Sequence, residues 1–402
     1  MRAGTDRRVH IITVMPDAPS SPSSVQPPAR PGPSPRTAPR SLQPAAPQAV
    51  EQARARLAAA CGARLVEGPT GWDCLIDTPA QEAADGFVAP LTDMAAIAVT
   101  GADAAAFLHA QLTNDVEHLS DAQARLAGYC TPKGRLLATF TLWRTSDGLA
   151  LAGAQPAAAA LSSRLSMYVL RAKAAVRDDS ARVAFFGAVG AAGARALAAA
   201  GLAAPGALEV ARAPHPERDD PTVVIGLPPA AGTNGVQPRW LVAAPLDAIE
   251  ALWCSLCCAA PAMGSDAWRR AEVLSGVARI VGGAIEQFVP QMLNFELTGG
   301  VDFRKGCYPG QEIVARSQYL GRLRRRMFAA QVDAAVPAPG DDVLADGAPE
   351  PVGRVVLAAP DGSGGALLLF EAPIERAHAG ELRLSSSGPA LRLRALPYAL
   401  PA

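Results

Sequence analysis

Residues 302 to 316 read Asp-Phe-Arg-Lys-Gly-Cys-Tyr-Pro-Gly-Gln-Glu-Ile-Val-Ala-Arg. A thiol, Cys307, stands between Gly306 and Gly310, beside the cations Arg304 and Lys305 and just ahead of Gln311, Glu312 and Arg316. Glycines let a backbone turn tightly or approach a ligand, and adjacent positive charge favours a thiolate, the nucleophilic and metal-binding form of cysteine. Taken alone, the run reads equally as a site or as an ordinary turn around an inert, buried thiol. Lysine usage favours the site. The chain has only three lysines, Lys133, Lys173 and Lys305, and two of them stand directly before glycine, in Pro132-Lys133-Gly134-Arg135 and Arg304-Lys305-Gly306. A chain that otherwise uses arginine spends lysine where a compact, rotatable ammonium is required.

These residues need a scaffold, and the chain is long enough to supply one. Its 402 residues suggest two or three domains, and half of them are apolar with zero formal net charge. Nothing global draws the chain to nucleic acid or membrane, so any anion binding must be local. No apolar run is long enough to span a bilayer and no signal-peptide pattern is present. Seven cysteines, an odd number, do not form a disulfide framework, and a reducing cytoplasm is the simplest setting.

Residues 1–48 are rich in Pro, Ser, Ala and Arg and are expected to be a disordered tail; prolines after Met15 argue against a transit-peptide helix. A helix is expected from Glu51 to Gly62. Strand and helix signals then alternate twice. The first set comprises strands at Ala95 to Thr100, on both sides of the Pro132-Lys133-Gly134 turn within Leu126 to Trp143, and at Ala172 to Arg177, with helices at Asp103 to Leu112, N-capped by Asp103, and at Ala157 to Tyr168. The second has strands at Val183 to Phe186, near 207–213 and near 238–244, and helices at Ala191 to Ala200 and Leu246 to Ala259. Beyond about 320 only short strands follow, at Val352 to Ala358, Ala366 to Phe370 and Glu381 to Leu384. The expected fold class is α+β: two ferredoxin-like antiparallel α+β domains over 49–180 and 181–320, the second carrying the cysteine motif, and a small β-barrel over 321–402.

Other groupings invite chemistry. Gly187, Gly190 and Gly193 have the wrong spacing for a dinucleotide fingerprint and read as a strand-to-helix turn. Cys254, Cys257 and Cys258 lack a second pair at ligand spacing, and His109 and His118 show no metal spacing, so no metal site is expected. Arg322, Arg324, Arg325 and Arg326 would place 322, 324 and 326 on one face of a strand, either as a solvated edge or as an anion holder. Trp268 reads as a core aromatic in the absence of other information.

The segments Phe288-Val289-Pro290-Gln291-Met292-Leu293-Asn294-Phe295, Gly299-Gly300-Val301-Asp302-Phe303-Arg304-Lys305-Gly306-Cys307-Tyr308 and Gly310-Gln311-Glu312 resemble the YgfZ family of folate-binding proteins, within the aminomethyltransferase superfamily. Gln111-Leu112-Thr113-Asn114-Asp115-Val116, Pro132-Lys133-Gly134-Arg135 and Leu396-Pro397-Tyr398 extend the likeness over about 90–400. The resemblance implies a ring of three domains around a central folate channel. It also implies a tetrahydrofolate or one-carbon derivative as cofactor, and a role in assembling or maintaining iron-sulfur enzymes, including those that modify tRNA. These enzymes would be the clients, with any tRNA contact indirect. Carried over by position, Cys307 is the functional thiol, with Lys305, Tyr308, Gln311 and Glu312 as its setting. Trp268 matches a folate-associated tryptophan and Met94 stands where a second would be, while Arg322 and Arg324 would receive the folate tail.

Two departures bear on activity. Catalytic aminomethyltransferases carry an acidic pair where this chain has Leu137 and Ala138, so the one-carbon transferase reading becomes an alternative, beside a noncatalytic tRNA- or partner-binding scaffold. Leu274 stands where many relatives place a pterin-contacting glutamate; Glu272, two residues earlier, is the candidate substitute, although on a helix it would face elsewhere.

Overall fold

The computed structural model describes residues 47–68, 70–78, 83–215, 218–232, 235–319, 323–346, 348, 350–380 and 382–401. Residues 1–46 of the expected tail, and Arg322, lie outside the described residues. The chain opens with α1 (Pro47–Ala60), a hairpin of β1 (Arg64–Gly68) and β2 (Gly71–Leu75), and β3 (Gly86–Pro90). It continues through β4 (Met94–Thr100), α2 (Ala104–His109), β5 (Ala124–Cys130), β6 (Leu136–Arg144), β7 (Gly148–Ala154), α3 (Gln155–Met167) and β8 (Ala175–Asp178). Next come β9 (Val183–Val189), α4 (Gly190–Ala199), β10 (Val210–His215), β11 (Arg218–Gly232), β12 (Gly235–Pro245), α5 (Ile249–Cys257), α6 (Ser265–Ser275) and α7 (Gln311–Tyr319). The last elements are β13 (Arg325–Val332), β14 (Asp342–Ala345), β15 (Gly353–Pro360), β16 (Ala366–Pro373), α8 (Ile374–Ala379), β17 (Leu382–Arg383) and β18 (Arg392–Arg394).

The strands form antiparallel sheets, as expected of an α+β chain. The first sheet runs β5-β6-β7-β4-β8 and buries one face under α2 and α3 around Leu108, Leu112, Leu142, Leu151 and Leu165. The second runs β10-β11-β12-β9-β3, so β3 crosses to the second sheet before the first is built, pairing Phe87 with Val189. The third runs β17-β14-β15-β16-β13-β18. Its ends approach again, because the Leu391 amide donates to the Leu382 carbonyl at 2.8 Å and Arg383 bridges Ala390, which curls the sheet round on itself.

Helix α6 packs against β11 of the second sheet and β15 of the third. Asp266 in its first turn suits the positive helix end, and Gly276, left-handed at φ 66°, terminates it. The Tyr398 hydroxyl donates to the Gly276 carbonyl at 2.7 Å, so the closing Leu-Pro-Tyr segment pins the helix end.

Several local expectations change. Asp103 stands at the N-cap of α2 without capping it; its Oδ2 instead accepts the Lys173 amide at 2.7 Å. Strand β11, with Pro221, Pro228 and Pro229, is not among the strands expected from the sequence. The register shift between Leu227 and Ala230 absorbs the Pro228-Pro229 pair as a bulge, one of the places a sheet tolerates proline. Helix α8 interrupts the expected all-strand C-terminal region. Of the arginine run, Arg322 lies outside the described residues and Arg324 precedes β13, which begins at Arg325.

Candidate ligand pocket and cysteine loop

Three residues singled out in the sequence, Met94, Trp268 and Glu272, line one pocket of about 560 Å³, part of it open to solvent. Trp268 and Glu272 are one helical turn apart on α6 and share a face, with Ser275 a turn further. Sequence reasoning compared Glu272 only with position 274; the i, i+4 relation to Trp268 was the signal it missed. Trp268 is 2 % exposed, and its ring lies so close to Gly187 that a Cβ there would sit 2.3 Å from Cε3. Close backbone approach to the indole thus explains Gly187, the first glycine of the false dinucleotide fingerprint.

Charge surrounds this aromatic. The Arg239 guanidinium lies 5.3 Å from the Trp268 ring centroid, and its Nε donates to the Pro228 carbonyl at 3.0 Å. Arg279 Nη2 pairs with Asp93 at 2.7 Å and approaches Glu272 at 3.0 Å. Arg269 joins Asp93 at 3.3 Å and also pairs with Asp73. Burial would raise the Asp93 carboxyl, but Arg279 and then Arg269 overcome it and hold the group below the ordinary carboxylate range. Glu272 goes the other way: burial pushes it up, Asp93 adds to this, and Arg279 only partly compensates. Burial lowers Arg239 to about 10. Three buried donors of the pocket lining, Trp268 Nε1, Arg239 Nη1 and Arg279 Nε, have no hydrogen-bond partner among the described residues, whereas Glu272 Oε2 is held by the Arg279 ion pair. Orphaned donors are costly to bury, and several of them in the lining of one cavity suit a ligand that offers acceptors.

The cysteine motif forms a separate loop behind the pocket wall. Leu126, Phe295 and Val277 of the wall pack with Val301 and Phe303 of the motif and Val314 of α7. The loop is stapled to the first sheet by Thr113 Oγ1, which donates to the Gly300 carbonyl at 2.6 Å, and by Asn114 Nδ2, which donates to the Gly299 and Leu126 carbonyls, each at 2.7 Å. At Gly310 (φ 83°) a Cβ would lie 2.5 Å from the Thr131 carbonyl oxygen and 2.6 Å from Gly134 Cα, so the Pro132-Lys133-Gly134 turn rests on the motif. Gln291 Nε2 donates to the Val314 carbonyl at 2.6 Å and holds α7, which begins at Gln311.

Within the loop Cys307 is exposed, Tyr308 is buried, and Glu312 is exposed on α7. Lys305, expected to serve the thiol electrostatically, also fastens the loop. Its Nζ donates to the Leu112 carbonyl at 2.7 Å and to the His109 carbonyl, and lies 4.8 Å from the Tyr308 ring centroid. Burial lowers Lys305 to about 8, against the opposing pull of Asp115, Asp302, Cys307 and Glu117. With only three lysines, a protein labelled with ¹³C at lysine Cε gives a clean test. One resonance is expected to titrate near pH 8 and to vanish in Lys305→Arg; a wild-type protein with no lysine resonance titrating there would contradict the burial. Unfolded lysine titrates near 10.4, so the unfolded chain binds the extra proton between about 8 and 10.4 and stability from this group rises with pH across that window.

His109, read as structural, also borders the loop: its Nε2 is 3.6 Å from where a Gly306 Cβ would stand, and its Nδ1 is 3.1 Å from Asp115 Oδ1. The arginine run is largely spent internally, Arg325 on Glu371 and Arg326 on Glu296, and exposed Arg324 does not line the pocket. Leu137 packs on the first core and Ala138 is buried, so β6 offers no carboxylate at that level.

A mixed fold of antiparallel sheets around α6 is shared with the aminomethyltransferase class. The glycine cleavage system aminomethyltransferase T of Bartonella henselae superposes with a TM-score of 0.68 at 19% identity, covering 85% of this chain and 95% of that one. In sequence, the tRNA-modifying protein YgfZ of Edwardsiella ictaluri is 33% identical over 239 residues, 59% of this chain and 69% of that protein. The corresponding protein of Colwellia psychrerythraea is 28% identical over 258 residues, 64% of this chain and 75% of its own. The chain belongs to the YgfZ family. No family model matches it. No helix among the described residues is long and apolar enough to cross a membrane.

Proposed function

We propose that this protein binds a tetrahydrofolate, or a one-carbon derivative, in the Trp268 pocket and uses Cys307 to support iron-sulfur enzymes of the cytoplasm, including those that modify tRNA. The observation that carries the reading is the gathering of three buried donors without hydrogen-bond partners, Trp268 Nε1, Arg239 Nη1 and Arg279 Nε, in the lining of one partly apolar cavity. A pterin presents ring donors and acceptors and a flat face, and these residues fit such a group. Glu272 would supply the carboxyl that Leu274 cannot, and Met94 an adaptable apolar wall. The three sheets, with 47–90 counted with the second, would form the ring around this channel.

The pocket's carboxyl is Glu272, already engaged by Arg279, and β6 contributes none, which disfavours the transferase reading. The scaffold reading is disfavoured because Arg325 and Arg326 are consumed in ion pairs. Calorimetric titration with tetrahydrofolate is expected to show saturable binding, weakened about tenfold or more by Glu272→Leu and unchanged by Cys307→Ala. A wild-type protein that does not bind reduced folate would overturn the assignment.

A further inference from the structure

A second cavity, of about 330 Å³ and also partly open, lies under α1 and shares Met94 with the tryptophan pocket. Into its lining projects Arg54, which is 8 % exposed. Its Nε has no hydrogen-bond partner, and its one close contact of note is the Trp72 ring, 5.6 Å from the guanidinium carbon. Among the described residues Arg54 makes no ion pair, although a buried guanidinium without an anion is among the costlier arrangements a fold can keep.

Its surroundings deepen the imbalance. Arg54, Arg239, Arg269 and Arg279 stand against Asp73, Asp93 and Glu272, an excess of one buried cation even with every carboxyl ionised. Asp73 and Asp93 are occupied by Arg269 and Arg279, and only long-range attraction from Glu51 and Asp93 reaches Arg54, whose guanidinium burial pushes down. Helix α3, thirteen residues long, starts at this cavity with Gln155 in the wall. The Gln155 amide is taken by the Asp93 carbonyl at 2.9 Å and Pro156 has none, so the helix contributes its positive field rather than a first hydrogen bond. The hydroxyls of Thr92 and Ser180 in the same wall are engaged by the Trp72 carbonyl and the Ala96 backbone. Among the described residues Arg54 is left as the cavity's uncommitted charge.

We propose that this cavity is an oxyanion site, in which Arg54 at the positive end of α3 binds a carboxylate or a phosphate. The site is separate from the folate reading and stands whether or not reduced folate binds. The test compares wild type with Arg54→Met, which keeps the side chain's length against Trp72 and removes the unpaired charge. Thermal unfolding is followed in sodium chloride buffer and after adding inorganic phosphate or acetate at matched ionic strength. In chloride the variant is expected to be at least as stable as wild type. Addition of about 10 mM of one of the two anions should raise the wild-type midpoint by several degrees, of order 3–5 °C, and leave the variant unmoved. The anion that acts distinguishes the phosphate source from the carboxylate source. Failure of both to shift wild type, equal shifts in both proteins, or a variant markedly less stable in chloride would each overturn the proposal, the last by showing that Arg54 is held for its contact with Trp72.

Discussion

Asp93→Asn is expected to cost about 3–5 kcal/mol of stability, the range for removing one partner of a buried, hydrogen-bonded ion pair. Asp93 is 1 % exposed, between β3 and β4, and receives Arg279 and Arg269 at once. Asparagine keeps the shape, so the loss is electrostatic: two buried guanidinium groups would share an amide, with Asp73 and Glu272 left as their anions. The sign with pH follows from the depressed carboxyl. Its contribution is fully present above the unfolded value near 3.9 and disappears as pH falls through the lower, folded value. Urea unfolding at a series of pH values should therefore show the full wild-type advantage at neutral pH and a shrinking one in acid. A neutral-pH difference under about 1 kcal/mol would mean that α6 is held in place by apolar packing alone.

Much of the frame was legible because the first sheet's strands are apolar and bounded by clear turns, as at Pro132-Lys133-Gly134 between β5 and β6. Strand β11 was not, because proline counts against a strand unless a bulge is known to receive it, and the bulge exists only in the paired sheet. The crossing of β3 into the second sheet is likewise invisible locally, since pairing partners lie about a hundred residues apart. The site divided along the same line. Cys307 and Lys305 stood out by type and spacing and Trp268 only through the family resemblance, yet the use of Lys305 to bind the carbonyls of His109 and Leu112 depends on a fold that brings residues some two hundred positions distant together. Arg54, Arg239 and Arg279 carried no motif at all. Their meaning lies in burial, which a sequence with abundant arginine does not disclose.

Cys307→Ala is expected to leave stability within about 0.5 kcal/mol of wild type while abolishing function in cells that lack their own family member. The side chain is exposed, and nothing among the described residues hydrogen-bonds to its sulfur, so the fold has little to lose. The readouts are the activity of iron-sulfur enzymes and the level of tRNA modification, measured together. Cys307→Ser sharpens the test because it keeps size and polarity but not the thiolate, the form that attacks or ligates. Cys258→Ala provides the matched control, another exposed thiol but on the helix-end cluster after α5, and should be silent. Cys130→Ala controls for structure, since burial raises that thiol to about 12 and any loss there would be one of packing. Full rescue by the serine variant would show that the loop works by shape. Loss with serine and alanine alike, in proteins that melt as wild type does, leaves the sulfur itself as the acting atom. Lys305→Met then separates chemistry from support: it should lower stability by unfastening the loop from α2, so that its loss of function tracks the melting temperature whereas that of Cys307→Ala does not.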